Sequence, residues 1–385
     1  MILTVTAKIK IKPTESQVEA LHQTMIAYRQ GCNLVSALVF DTSELNQPAL
    51  HRMSYQTLRS MIGLRSQMAQ SVMKTVIAKY KAIRSNGYAW ALVRFKKPEY
   101  DLVWNRDYSL KAQLFSVNTL QGRIKIPFEA KGMEVYLDGS WTFGTAKLVY
   151  KKRKWFLHIP VTKNTEVPEL KDIKQVAGID LGINFIATAY GSDGKTVFYR
   201  GRALKRKRVN YKRLRSELQR KQTPSSRRRL KKIGERENRW MTDVNHQVSK
   251  ALVTRYGANT LFVLEDLTGV RRATEKTKLK DRYVTVSWAF YQLRKMIEYK
   301  APLAGSKAIA VDPKYTSQTC PLCGHISKEN REKRKHRFRC RTCGYESNDD
   351  RVGAMNLCLK GKEYLLQGAG LAWLDLQGSC QSAHR

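Results

Sequence analysis

Two cysteine pairs constrain this chain more than any other feature: Cys320-Pro-Leu-Cys323 and Cys340-Arg-Thr-Cys343, with sixteen residues between them. Thiolates at this spacing close on a single tetrahedral Zn²⁺, and Gly324 and Gly344, one after each pair, suit the tight turns of a ribbon. Four sulfurs leave no open coordination position, so the expected metal is structural. The rival readings, two disulfides or free thiols, suit a reducing compartment poorly or leave the spacing without a purpose. Cys32, Cys358 and Cys380 have no neighbour at metal spacing and read as buried thiols and a tail residue.

Charge narrows the partner. Lys and Arg number 71 against 32 Asp and Glu, a formal net charge of +39. Solubility asks for a magnitude of only about 2–8 in a small domain. An excess of this size points to a polyanion. No apolar stretch approaches the length of a membrane span, and the alternating start MILTVTAKIKIKPTESQ lacks the apolar core of a signal peptide. A cytoplasmic, nucleoid-associated setting with nucleic acid as partner, and no membrane, is the expectation.

Along the chain, residues 1–12 alternate as a strand, with Leu3, Val5 and Ala7 on one face and Lys8 and Lys10 on the other. Thr14 with Gln17 makes a capping-box signal for a first helix. A second helical pattern covers about 54–84. From about 88 to 163 short β-like runs follow (91–95, 123–128, 133–137), and the clearest is a hairpin of 146–150 and 155–161 turned at 151–154. From about 174 the pattern is strand, glycine turn, strand. Residues 202–239 then hold 17 Lys/Arg against three acids, Glu217, Glu235 and Glu237, in a helical hairpin broken at Thr223-Pro224. A further buried strand spans 260–264, a helix 285–300, a short strand 308–311 and a last helix 350–359.

Against this basic background three acids stand at element ends. Asp180 follows the apolar run 176–179, Glu265 closes the run 261–264, and Asp350 opens a helix just past the second cysteine pair. Each alone reads equally well as a turn residue, a surface acid or a helix-start acid. Together, strand-Asp, strand-Glu and helix-Asp are the carboxylate order of an RNase H-like fold. Three such acids make a cage for two Mg²⁺ ions roughly 4 Å apart, which serve phosphodiester hydrolysis.

The motifs resemble the TnpB family (OrfB of insertion-sequence transposons), RuvC-like nucleases related to type V CRISPR effectors. The resemblance rests on Gly178-Ile-Asp180-Leu-Gly182, Leu264-Glu265-Asp266-Leu267, Tyr315-Thr-Ser317-Gln-Thr-Cys320-Pro-Leu-Cys323-Gly324, Cys340-Arg-Thr-Cys343-Gly344-Tyr345 and Asn348-Asp-Asp350-Arg-Val-Gly-Ala354-Met-Asn356. Asp243-x-x-His246-x-x-Ser249 and Lys10-Ile-Lys12-Pro13-Thr14-Glu-Ser-Gln17 also fit. His246 reads as a helix-face residue bonded within the fold rather than as a ligand. The family often has Asn two residues after the last Asp, where Val352 stands here, and the spacing to Asn356 selects Asp350 over Asp349.

The resemblance implies a multidomain α/β protein. A wedge-like β-barrel (1–12 and 88–165) carries a helical recognition insert (13–87). An RNase H-like (RuvC) nuclease domain (166–315 and 345–362, with a basic helical insertion at 202–255) encloses a four-cysteine zinc ribbon (316–344), and a tail covers 363–385. It implies Asp180, Glu265 and Asp350 as the catalytic, Mg²⁺-binding triad and Cys320, Cys323, Cys340 and Cys343 as zinc ligands. The implied partners are a noncoding guide RNA from the transposon end and target double-stranded DNA. The implied activity is cleavage of guide-matched DNA beside a short transposon-adjacent motif. Candidate nucleic-acid contacts are Tyr55, Gln70 and Lys74 on the insert. Others are Lys205, Arg206, Arg208, Arg213, Arg228 and Lys231 on the basic hairpin, and Arg334 and Lys335 on the ribbon. Two other classes remain open at this point: a guide-directed repressor without cleavage, and a guide-independent zinc-ribbon accessory protein of transposition.

Overall fold

A computed structural model describes residues 1–266, 290–332 and 335–369. Its contacts divide the chain into two units, one formed by Ile2–Asn164 and one from Thr165 onward.

In the first unit, β1 (Ile2–Ile11) pairs along its whole length with β8 (Lys154–Asn164). Leu3, Ala7, Ile9 and Ile11 face inward while Lys8 is exposed, as strand alternation requires. With β2 (Tyr100–Leu102), β3 (Tyr108–Lys111), β4 (Leu114–Thr119), β5 (Gly122–Glu129), β6 (Thr142–Phe143) and β7 (Ala146–Lys151) they form an eight-stranded antiparallel sheet, nearly closed and barrel-like. Its spine runs β2-β7-β8-β1-β5-β4-β3. The β7–β8 hairpin turns on Lys152 and Arg153, both at positive φ (53° and 58°), the primed geometry that matches strand twist.

Three helices interrupt the barrel sequence: α1 (Glu15–Thr42), α2 (Gln47–Ser60) and α3 (Ser66–Ser85). The capping box at Thr14 and Gln17 is formed. The single helical pattern expected over 54–84 is instead two helices. Gly63 takes φ +74° and Leu64 N donates to Leu58 O at 3.1 Å, a glycine-terminated helix end that lets Leu58 and Leu64 stay in one core across the break. The run 91–95 is not a strand either, because α-helical side chains occupy its backbone groups. Ser36 Oγ donates to Val93 O (2.6 Å), and Asn33 brackets Phe95 (2.8 and 3.2 Å). The run 133–137 closes as a 3₁₀ turn, Glu134–Tyr136, rather than a strand.

The second unit is built on a five-stranded sheet. Its strands are β9 (Gln175–Asp180), β10 (Phe185–Gly191), β11 (Thr196–Arg200), β12 (Thr260–Glu265) and β13 (Lys307–Val311), ordered β11-β10-β9-β12-β13. β10 is antiparallel to both neighbours, whereas β9, β12 and β13 run parallel. Alternate residues of β9 face opposite layers. Ala177 and Ile179 pack with Phe262 and Leu264 against α5 (Pro224–Tyr256) and α6 (Phe290–Leu303). Val176, with Leu261 and Val263, packs against Leu357, Cys358 and Leu365 of α7 (Asp349–Ala369) on the other side. The result is a three-layer α/β/α arrangement.

The basic hairpin is α4 (Arg202–Lys221) followed by α5, with Thr223 capping and Pro224 opening the second helix. A small sheet of β14 (Arg331–Glu332), β15 (Arg337–Arg339) and β16 (Glu346–Asn348) precedes α7. α6 begins at Phe290, so the first part of the helix expected at 285–300 lies outside the described residues, as does the tail beyond 369. α7 extends well past the expected 350–359.

Candidate metal and nuclease site

Leu264 of β12 pairs with Ile179 of β9, so the next residues, Glu265 and Asp180, leave two adjacent parallel strands side by side. α7 lies across the same strand ends. Its approach is tight: a Cβ on Gly178 would stand 2.1 Å from Ala354 O and 2.4 Å from Cys358 N. A Cβ on Gly353 would stand 3.2 Å from the Asp180 carboxylate. Only glycine at Gly178 lets the helix sit close enough to present its first turn to β9.

Asn348 caps α7, its Oδ1 accepting from Asp350 N and Arg351 N, each at 3.1 Å. The two acids that follow keep carboxylate oxygens within 4.8 Å of each other and of a His336 ring nitrogen, but take different partners. Asp349 turns to Arg331 (2.8 Å) and His336 (3.5 Å). Asp350 turns toward the Asp180 side, where its Oδ1 lies 3.5 Å from the place a Gly182 Cβ would occupy.

Burial raises the proton affinity of all three acids, and Asp180 is raised further by the charges of the other two. Burial, then the charges of Glu265 and Asp350, push Asp180 well above the ordinary carboxylate range. Burial raises Glu265, against the opposing effects of a Thr316 hydrogen bond (2.5 Å) and the charges of Lys360 and Arg331. Burial and Asp349 push Asp350 up to about 6, against His336 and Arg331. Asp350 Oδ2 is buried with no hydrogen-bond partner. An all-oxygen set of desolvated carboxylates, with Asp180 repelled by the other two and one oxygen orphaned, fits a hard divalent cation such as Mg²⁺.

Sequence reading missed the groups that hold these acids. Thr316 orients Glu265, and Asn356, on α7, donates to Thr316 O (2.7 Å) and Thr319 O (2.8 Å). Both lie within the quoted motifs, which carried the signal without its meaning.

At the ribbon, the four Sγ atoms lie within 4.8 Å of one another, with Cys320–Cys343 at 3.6 Å and Cys323–Cys340 at 3.5 Å. A disulfide needs about 2.05 Å. Tetrahedral Zn–S bonds of about 2.3 Å place sulfurs roughly 3.8 Å apart, so the cluster fits zinc. Gly324 and Gly344 take φ +73° and +71°, and each donates to the first cysteine of its pair. Cys32 and Cys358 are buried thiols, and Cys380 lies outside the described residues. His246 is exposed, near Tyr299 Oη at 3.5 Å, while Asp243 accepts from Gln247.

Of the nucleic-acid candidates, Lys74, Lys205, Arg206, Arg213, Arg228, Lys231 and Lys335 are exposed, and Lys335 pairs with Glu332 at 2.9 Å. Gln70 is half-buried. Tyr55 is also half-buried, stacked on His51 (4.3 Å) and donating to Ser66 Oγ (3.0 Å). Arg208 is a correction: it is 2% exposed, 3.6 Å from Glu237, which also binds Arg215 at 2.5 Å. It faces α5 rather than solvent. Arg334 lies outside the described residues.

Two family models match the chain: "Probable transposase" (OrfB_IS605) over residues 158–271 and "Cas12f1-like, TNB domain" over 290–357. A TnpB-like protein of Methanocaldococcus jannaschii is 29% identical over 61% of this chain and 84% of its own length. The chain is TnpB-like. Escherichia coli K12 InsQ, named an RNA-guided DNA endonuclease, is 30% identical over 56% of each chain. Sulfoacidibacillus thermotolerans Cas12f1, named a CRISPR-associated endodeoxyribonuclease, is 30% identical over 59% of this chain and 56% of its own. The match spans 56% and 60% of the two Cas12f1 relatives' lengths. A solved structure of CasPhi-2 (Cas12j) bound to crRNA and phosphorothioate-DNA shares the fold, at TM-score 0.53 and 10% identity over 95% of this TnpB-like chain and 92% of the other. No helix among the described residues is long and apolar enough to cross a membrane.

Proposed function

We propose that this chain is an RNA-guided DNA endonuclease that cleaves guide-matched DNA beside a short adjacent motif. The guide is a noncoding RNA from a transposon end. One observation carries the reading: Asp180, Glu265 and Asp350 converge from two neighbouring parallel strand ends and a helix start, all desolvated. The strand order β11-β10-β9-β12-β13, with only β10 reversed among β9, β10, β12 and β13, supports an RNase H-like (RuvC) assignment. Relatives named as nucleases support the activity.

Asp180, Glu265 and Asp350 would hold two Mg²⁺ ions, and Cys320, Cys323, Cys340 and Cys343 one structural Zn²⁺. Mg²⁺ held there would supply an activated water and charge neutralisation at the leaving oxygen of the phosphodiester, for ends bearing 5′-phosphate and 3′-hydroxyl. The chain's own residues prepare the place. Thr316 keeps the Glu265 carboxylate from rotating, and Asn356 anchors the loop that carries Thr316. Arg331 and His336 engage Asp349, while Asp350 faces Asp180. In this reading the barrel unit and its helices recognise the adjacent motif, α4–α5 contacts the guide duplex, and the protein works in the cytoplasm at the nucleoid.

Cleavage of plasmid DNA matched to the copurified RNA tests the proposal. Asp180→Ala, Glu265→Ala and Asp350→Ala should each abolish cutting in Mg²⁺ while RNA still copurifies. Wild-type cutting by any of the three would remove that residue from the triad. No matched cutting by the unsubstituted chain would end the nuclease reading.

A further inference from the structure

Asp349 stands beside Asp350 at the start of α7 and is the more deeply buried of the two, at 1% against 8% exposed. One of its oxygens is answered, since Oδ2 accepts from Arg331 Nε at 2.8 Å. The other is not. Oδ1 is shut off from solvent with no hydrogen-bond partner, and the same holds for Asp350 Oδ2. Among the described residues, Arg331 is the only Lys or Arg that forms an ion pair with either acid. Buried carboxylate oxygens without donors are costly unless a cation reaches them.

His336 completes a set of ligands. It brings a ring nitrogen within 4.8 Å of a carboxylate oxygen from each acid. Its Nδ1 lies 3.5 Å from Asp349 Oδ1, which makes no hydrogen bond. That separation falls between the roughly 3 Å of neighbouring and roughly 4 Å of opposite ligands around an ion with bonds of about 2.1 Å. The ring is placed by other groups. Its Nε2 meets the Asn184 amide at 2.7 Å, and the His336 carbonyl accepts from Asp349 N at 3.3 Å and Asn348 Nδ2 at 3.2 Å. A ligating imidazole commonly uses its second nitrogen on such an outer partner, which fixes the ring. A side-chain amide can serve either tautomer there, because it carries both a donor and an acceptor.

The donor set selects the metal. Asp180, Glu265 and Asp350 offer oxygen alone, which suits Mg²⁺. One imidazole nitrogen added to two carboxylates suits a divalent first-row transition ion instead. We infer that His336, Asp349 and Asp350 form such a transition-metal site on the ribbon side of the triad, with His336 as a nitrogen ligand and Asp350 shared between the two sites. The inference rests on the nuclease reading only for what the neighbouring ions do, not for the binding itself.

The test uses the full chain with its copurified RNA, labelled with ¹⁵N in histidine only, and Mn²⁺ as the probe. Electron spin echo of the bound Mn²⁺ should show coupling to ¹⁵N, which the unlabelled RNA cannot supply. His336→Gln should remove the coupling, whereas His246→Gln should keep it. His336 is partly exposed, and one Zn²⁺ per chain by elemental analysis would show that the ribbon of the variant is intact. Asn184→Ala removes the outer partner of the ring and should weaken Mn²⁺ binding about tenfold, with Mg²⁺ binding unchanged. Absence of ¹⁵N coupling at saturating Mn²⁺ would overturn the inference and leave His336 as an ion-pair partner of Asp349. Coupling that survives in His336→Gln would overturn it too. Asp180→Ala separates the two proposals, since it should abolish cutting yet keep the coupling. If the unsubstituted chain never cuts but shows the coupling, the nuclease reading fails and the metal site stands; cutting without coupling gives the reverse.

Discussion

Glu265 and Asp350 are held differently, and the difference sets what neighbouring substitutions should do. Glu265 has a dedicated donor in Thr316, whereas Asp350 Oδ2 is buried with no hydrogen-bond partner. Replacing the hydroxyl in Thr316→Val removes the bond that opposes burial and leaves Glu265 free to rotate. Loss of such an outer partner costs about 10–100-fold in metal affinity or activity. The Mg²⁺ concentration for half-maximal cutting should therefore rise by about tenfold in Thr316→Val and return toward normal in Thr316→Ser. An unchanged Mg²⁺ titration would mean the bond has no part in holding the ion. Protons compete for the same oxygens. Asp350 rises from the usual carboxylate range to about 6 on folding, so the native state binds the proton more tightly than the unfolded chain. The contribution of Asp350 to the stability of the metal-free protein then falls as pH rises from about 4 to about 6. Asp350→Asn should flatten that part of the Tm–pH curve. The Tm gain from added Mg²⁺ should likewise shrink as pH drops below about 6, because protons then occupy the site.

At the scale of elements, the site depends on how closely α7 lies on β9. A methyl group at Gly178 meets backbone atoms of α7 at 2.1 and 2.4 Å, and backbone has no rotamer with which to yield. Gly178→Ala should lower stability by about 1–3 kcal/mol or more, and it should lower cutting further by lifting Asp350 away from Asp180. Gly234→Ala is the matched opposite. In α5 its new Cβ meets only Arg215 Nη2 at 3.7 Å, so the gain in helix propensity, about 0.5–1 kcal/mol, should raise Tm. The same contrast explains what was legible beforehand. Asp180 and Glu265 were readable because each ends an apolar run, and a charge at the end of a buried strand has a fixed place to go. The glycine at 178 and the helix beginning near 350 were both visible, but the close packing of one on the other was not, because the contact joins residues about 180 positions apart. The break at Gly63 and the irregular course of 91–95 were lost for a related reason. Side chains of α1, Asn33 and Ser36, bind the latter's backbone, and no local period records that.

For the whole molecule, the governing quantity is the net charge of +39, and the structure sorts which cations are free to act. Arg208 is spent inside the α4–α5 hairpin on Glu237, whereas Arg213 and Arg228 on the same two helices are exposed. Composition cannot distinguish them, because a buried arginine on an inward-facing helical position and an exposed one a few residues on count equally. Counterion release can. If the exposed residues contact phosphates, the affinity of the full chain for its RNA should fall steeply with salt, by about 10³–10⁵ between about 50 and 200 mM for about 6–10 contacts. Arg213→Gln and Arg228→Gln should each reduce the slope of log K against log salt by about 0.7–0.9 with little change in Tm. Arg208→Gln should do the reverse, because removing one partner leaves Glu237 buried and less fully compensated: the slope stays and Tm falls. Filter binding across a salt series, with a thermal melt of each variant, measures both. A slope that responds to Arg208 but not to Arg213 or Arg228 would mean that the hairpin meets nucleic acid by opening. The exposed face seen here would then not be the one that carries the charge to its partner.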